Sequence, residues 1–273
     1  MGELVWAACA SHAGGQLRVR RDAVDQDRID RVYDGWAQLA SSLRTAAPDA
    51  LVVVGTDHMY TFSDDLMPIF TIGRGETFET WGELGNTIRT IRGVPEVSDA
   101  VHRGLVQAGF DVAGMVGMRL DHAYACPLEL IDPDNELKVV PLSVNCFAPP
   151  LPTFARARQL GVALRRVIQQ SEVGRIAALG TGGISHWVGV PETGRINPDW
   201  DRSVLGLFEA ADVEALEEMD SGEWLQEGGP GAGELLCWMV AFGAAGSAGA
   251  RRLVYEPVKA WITGTSLMEV AVT

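Results

Sequence analysis

The sequence predicts a single α/β domain over residues 1–273, with a central, largely parallel or mixed sheet flanked by helices. Three observations predict it. Helix-like and strand-like segments alternate along the chain without an internal repeat or a low-complexity linker. The run Leu51-Val52-Val53-Val54 is β-branched with no polar alternation, a pattern that needs cover on both faces of a sheet. Finally, apolar strands at 4–8, 51–54 and 176–179 each give way to a small-residue or glycine-rich turn bearing one histidine: His12, His58 and His186. Ligands of open α/β sheets bind beyond the carboxyl ends of the strands, so these histidines predict a common site.

The charged stretch 18–30 is expected on the surface. From there Ile29, Val32, Trp36, Leu39 and Leu43 form a helical stripe, stopped by Ala47-Pro48 before the second strand. Residues 57–93 carry Gly, Thr and aromatic side chains without a period, which predicts irregular excursions over the site. Pro95 opens a helix with Val97, Val101 and Leu105 on its apolar face. His102 lies one step off that stripe and is expected to face solvent, away from the chemistry.

Residues 137–144 read as a strand, and Leu160, Ala163, Leu164, Val167 and Ile168 as the stripe of the next helix. The stretch 200–224 reads as mostly helical and acidic, and the glycines of 228–233 break it. A helix over 234–243 is apolar nearly all round and hence expected to be buried. Strands near 253–255 and 266–272 close the chain.

With 47% hydrophobic and 21% charged residues, the composition is that of an ordinary globular protein. A formal charge of −14 argues against nucleic acid or an anionic membrane as partner. Cys9, Cys126, Cys146 and Cys237 are scattered with no C-x-x-C pair, so they read as buried, reduced thiols of a cytoplasmic protein. No run reaches the ~20 apolar residues of a membrane span. The short apolar start lacks the basic lead of a signal peptide.

Four of the five histidines stand in turn-like segments after strands, where no helix face explains them. Neutral imidazole is the commonest metal ligand and calls for a carboxylate to balance the cation. Glu234 is the sole charge between Glu227 and Arg251 and opens an apolar helix, where it either serves the helix terminus or joins a site. An isolated charge there costs several kcal/mol, which favours the second reading. Two histidines and one carboxylate leave open faces on a metal, as in non-heme Fe(II) oxygenases, and free other histidines for proton transfer. A thiol nucleophile at Cys9 lacks an activating helix start, and Gly180-Thr181-Gly182-Gly183 lacks the lysine of a phosphate loop.

Several motifs occur here in the order found in class III extradiol ring-cleavage dioxygenases. They are Ser11-His12, Asp57-His58-Met59, Leu120-Asp121-His122 with Pro127-Leu128, Gly180-Thr181-Gly182-Gly183-Ile184-Ser185-His186, and Gly233-Glu234 before an apolar helix. Asn197-Pro198-Asp199-Trp200-Asp201 fits the same pattern. The chain resembles that family over nearly its whole length, and it looks like the catalytic subunits of the protocatechuate and gallate dioxygenases.

The resemblance implies that His12, His58 and Glu234 bind Fe(II). His186 is then the acid–base histidine near dioxygen, and His122 contacts substrate. Thr181, Gly182 and Gly183 are expected to lie against the substrate, since glycine lets backbone approach a ligand closely. The implied reaction inserts both atoms of O2 into a catechol and opens the ring beside the diol. Alternatives are an aminophenol or hydroxypyridone substrate, a non-catalytic binding protein on the same fold, or a Zn hydrolase. Retention of His12, His58, His122, His186 and Glu234 argues against loss of catalysis. His122-Ala123-Tyr124-Ala125-Cys126 departs from the small polar residues of the family, so a different substrate pocket is expected. The expected assembly is a homo-oligomer or a complex with a small accessory subunit.

Overall fold

A computed structural model describes residues 1–273, the side chain of Ser221 excepted. The first half of the chain forms β1 (Glu3–Ala10), α1 (Gln26–Ala46), β2 (Ala50–Gly55), β3 (Phe70–Gly73), β4 (Thr77–Glu79), β5 (Thr90–Gly93), α2 (Pro95–Gln107), β6 (Val112–Met115) and α3 (His122–Ile131). The second half forms β7 (Lys138–Val144), α4 (Phe154–Gln170), β8 (Arg175–Thr181), α5 (Pro198–Ala210), α6 (Val213–Glu218), α7 (Ser221–Gly228), α8 (Leu235–Ala245), β9 (Ala250–Val258) and β10 (Thr263–Val270).

One sheet runs in the order β4-β5-β7-β2-β8-β1-β10-β9, with β3 also on β7 and β6 on β3. The expected mixed sheet is therefore present. Its centre is parallel: Val52 stands opposite both Val140 and Ala178, and Ala8 opposite Leu179. The carboxyl ends of β1, β2 and β8 consequently meet at one edge. β10 and β9 complete the sheet as antiparallel strands.

Burial on both faces explains the apolar runs. Alternate β2 residues Val52 and Val54 join the core beneath α4 and α8, while Leu51 and Val53 join the core beneath α1 and α3. All eleven residues of α8 are buried. A Cβ on Gly180 would stand 2.6 Å from the Cys237 carbonyl oxygen, so the missing side chain lets α8 lie close on β8. Each buried leucine or valine contributes about 1.5–3 kcal/mol against exposure.

Four details differ from the sequence expectations. The 57–93 stretch holds β3, β4 and β5, which are short; β3 and β5 pair with β7 far along the chain, and β4 pairs with β5. β6 was not anticipated either, for the same reason. Asp25, in the charged stretch, is buried and pairs with Arg28 at 2.8 Å. His102 is half-buried, with Nε2 2.8 Å from the Val112 carbonyl oxygen, so it ties α2 to β6 and stays out of the site. The four cysteines are buried and free. No described helix is long and apolar enough to cross a membrane.

Candidate active site

β2, β8 and β1 are adjacent and parallel, so the turns that follow them open on the same side. His12, His58 and His186 arrive there as expected. Glu234 comes from across the sheet edge, as the last residue of a 3-10 turn (Pro230–Glu234) that leads into α8. Its side chain makes no capping hydrogen bond. It points instead at the histidines, which removes the reading of Glu234 as a helix-terminal charge.

Glu234 Oε1 lies 2.9 Å from His58 Nε2 and 3.3 Å from His12 Nε2. It is fully buried, yet no N–H is aimed at it with hydrogen-bonding geometry. Two ring nitrogens and an orphaned carboxylate oxygen thus crowd one point, an arrangement that a cation satisfies. The N, N, O donor set with room to spare suits non-heme iron. His12, His58 and His122 also each offer a ring nitrogen within 4.8 Å of the others. A buried carboxylate needs a counter-charge more than a neutral imidazole does, so Glu234 is favoured over His122 as third donor.

The neighbours orient these groups. Asp121 Oδ2 accepts the His58 backbone N–H at 2.6 Å and stands 3.0 Å from His58 Nδ1, leaving Nε2 free for the site. The other oxygen, Oδ1, caps α3 through the Ala123 N–H at 2.9 Å. Gly183 N–H donates to Glu234 Oε2 at 2.6 Å. Burial disfavours charge on His58, but the Asp121 and Glu234 carboxylates outweigh it and raise its pKa well above the usual imidazole value. Burial likewise opposes ionisation of Asp121, yet His58 holds its pKa down to about 2. Glu234 is buried too, and His12 and His58 hold it well below the carboxylate range.

His186 and His122 behave differently. Burial lowers the pKa of His186 against the pull of Glu234, and its Nε2 stands 3.8 Å from Glu234 Oε2. Its ring is pinned between Gly183 and Gly231, where any Cβ would overlap it. Burial and then the charge of His58 lower His122, which stacks on His58 with ring centroids 4.0 Å apart.

A cavity of about 320 Å³ opens onto His12, His58, His122 and His186, and Leu84, Val188, Trp261 and Ile262 give it apolar walls. Thr181, Gly182 and Gly183, expected against the substrate, are placed elsewhere. Thr181 Oγ1 donates to the Ala123 carbonyl at 2.9 Å. Gly182, at φ +156°, leaves room for the Glu234 Cβ. The strand end turns under Glu234, where Gly182 and Gly183 brace it, while Thr181 ties to α3; none of the three lines the cavity. Sequence reasoning missed Glu83, Leu84 and Trp261, which lie on segments without a period. Asp121 carried a visible signal as the neighbour of His122.

The family whose sequence model matches is described as the catalytic LigB subunit of aromatic ring-opening dioxygenase, and the match covers residues 7–266. The chain is similar to the 2,3-dihydroxyphenylpropionate/2,3-dihydroxicinnamic acid 1,2-dioxygenase of Photorhabdus laumondii, with 28% identity over 85% of this chain and 87% of that protein. Enzyme 2 of the same description from Pseudomonas putida shares 27% identity, over 83% of this chain and 85% of its own. Among solved structures, the uncharacterized protein JW3007 of Escherichia coli K12 superposes with a TM-score of 0.63. That likeness spans 97% of this chain and 100% of the other at 17% identity, and it concerns the fold alone.

Proposed function

The chain belongs to the family of catalytic LigB subunits of aromatic ring-opening dioxygenases, and on that premise we propose that His12, His58 and Glu234 hold Fe(II) for extradiol cleavage of a catechol. The observation that carries this reading is the convergence of two Nε2 atoms on the orphaned Glu234 Oε1, at 2.9 and 3.3 Å. Iron bound there supplies open positions where a diol and O2 meet, and a route for electrons between them.

The chain's own residues do the rest. His186, kept neutral by burial, takes a diol proton at Nε2 and returns it as the ring opens. His122 contacts the substrate from the His58 side of the cavity. Leu84, Val188, Trp261 and Ile262 exclude water and receive the ring substituent. The named substrate of the relatives, 2,3-dihydroxyphenylpropionate, is the first to test; protocatechuate, gallate, an aminophenol and a hydroxypyridone complete the panel.

Assembly is part of the proposal. Leu84 lines the cavity, and Met59 and Tyr60 follow the cavity residue His58, yet all three are exposed. A second copy of the chain or a small accessory subunit covers them.

Anaerobic reconstitution with Fe(II), followed by air and the panel, tests the activity through oxygen uptake and a yellow ring-opened product. His12→Ala, His58→Ala and Glu234→Ala are each expected to abolish metal retention and cleavage while circular dichroism is unchanged. Full iron occupancy and activity in any one variant would remove that residue from the ligand set. Hydrolysis by a Zn-loaded protein, without oxygen uptake, would overturn the dioxygenase assignment of the metal.

A further inference from the structure

We infer that Glu83 is a positioning residue for His122, holding that imidazole by Nδ1 so that Nε2 faces the substrate. The inference rests on the reading of His122 as a substrate-contacting histidine.

Glu83 lies on a short 3-10 turn (Glu83–Gly85) between β4 and β5. Its Oε1 accepts the backbone N–H of His122 and stands 3.1 Å from His122 Nδ1. Both side chains are almost buried, at 11% and 8% exposure. One oxygen of the carboxylate, Oε1, therefore holds one partner residue at two points, while Oε2 is buried without a hydrogen-bond partner. A carboxylate is an acceptor only, so it selects the His122 tautomer with hydrogen on Nδ1 and leaves a lone pair on Nε2. Nε2 faces the cavity wall at Gly14, 3.5 Å from where a Cβ on that glycine would stand. A lone pair there can accept a hydrogen bond from a diol hydroxyl.

The next residue links the clamp to the substrate space. Leu84 lines the cavity, and its Cδ1 lies 2.5 Å from the same Cβ position on Gly14. Gly82, Leu84 and Gly85 all have left-handed backbone, at φ +73°, +56° and +89°. A leucine held in that region indicates that surrounding contacts determine the tip's shape. One tip thus sets the orientation of His122 and part of the cavity wall together.

A rival role, with Glu83, Asp121 and His122 as a cation site, is weaker. Both Asp121 oxygens are already used, one by the Ala123 N–H and one by His58.

The test is a double-mutant cycle of Glu83→Ala and His122→Ala in the iron-loaded enzyme, with 2,3-dihydroxyphenylpropionate as probe. Glu83→Ala is expected to lower kcat/KM by ~10-fold at unchanged iron per chain, as loss of a supporting partner does. In the His122→Ala background the same change should cost less than about twofold, because the group it acts through is gone. Glu83→Gln, whose amide oxygen still accepts, should retain more activity than Glu83→Ala. Equal losses in both backgrounds overturn the inference. A second readout needs no turnover: nitrogen NMR of the His122 ring in the metal-free protein. The Nδ1–H tautomer should dominate in the wild type and lose its dominance in Glu83→Ala. An unchanged tautomer overturns the inference even where the wild type cleaves no catechol, an outcome that by itself sinks only the proposed function.

Discussion

A proton carrier must reach the reacting oxygen without being consumed as a ligand, and His186 is placed for that. It stands 3.8 Å from the Glu234 oxygen that is turned away from His12 and His58, and two glycines fix its ring. His186→Gln should therefore retain iron but lose turnover by ~10²–10⁴-fold, the usual worth of general acid–base catalysis. Because burial lowers its pKa, the base form is present at neutral pH, and activity should rise with pH along the acidic limb. That limb should vanish in the variant. Iron per chain measured beside single-turnover rate decides the role: joint loss makes His186 a ligand, and retention of both makes it structural. The strand-end histidines were legible because an apolar run followed by a small-residue turn has few structural uses for an imidazole. Glu83 was not, since a solitary acid on an aperiodic loop looks like any surface charge until His122, 39 positions away, is folded against it.

Among the elements, the join between the loop after β8, helix α5 and strand β9 has its own pH dependence. Asp201 of α5 accepts the Ser185 N–H at 2.8 Å, the Ser185 hydroxyl at 2.9 Å and the Tyr255 hydroxyl at 2.6 Å. Burial still wins over these donors and pushes its pKa up to about 6. A carboxyl whose folded pKa lies above its unfolded value of about 3.9 takes up a proton on folding. Its contribution is full below about pH 4 and is lost as pH rises through about 6, a change on the order of 3 kcal/mol. The wild type should accordingly lose unfolding free energy relative to Asp201→Asn as pH rises from about 4 to 7. Parallel curves would show that Asp201 titrates normally. Helices with a full apolar stripe, such as α1, α2 and α4, were readable from their period. Strands β3 to β6 are three or four residues long, too short for any period; β3, β5 and β6 are defined by partners distant in sequence, and β4 by its pairing with β5.

At the scale of the molecule, the exposure of Tyr60 at 41% and Leu84 at 44% beside an apolar cavity predicts that the active species is larger than one chain. Sedimentation at assay concentration checks this, and a fully active monomer overturns it. The parallel sheet itself was evident from buried Val-rich runs, whereas the strand order that makes β2, β8 and β1 neighbours was not. That order has a consequence for biosynthesis. The proposed ligands enter the chain at positions 12, 58 and 234, and the last arrives with the helix whose eleven residues are wholly buried. No nascent fragment that stops short of that helix contains the complete ligand set. If the metal is held as proposed, its capture waits until that helix has been made, and it would report that the helix has docked. Chains that have docked it would gain stability by mass action, while those lacking the docked carboxylate would forgo that gain and stay open to proteolysis.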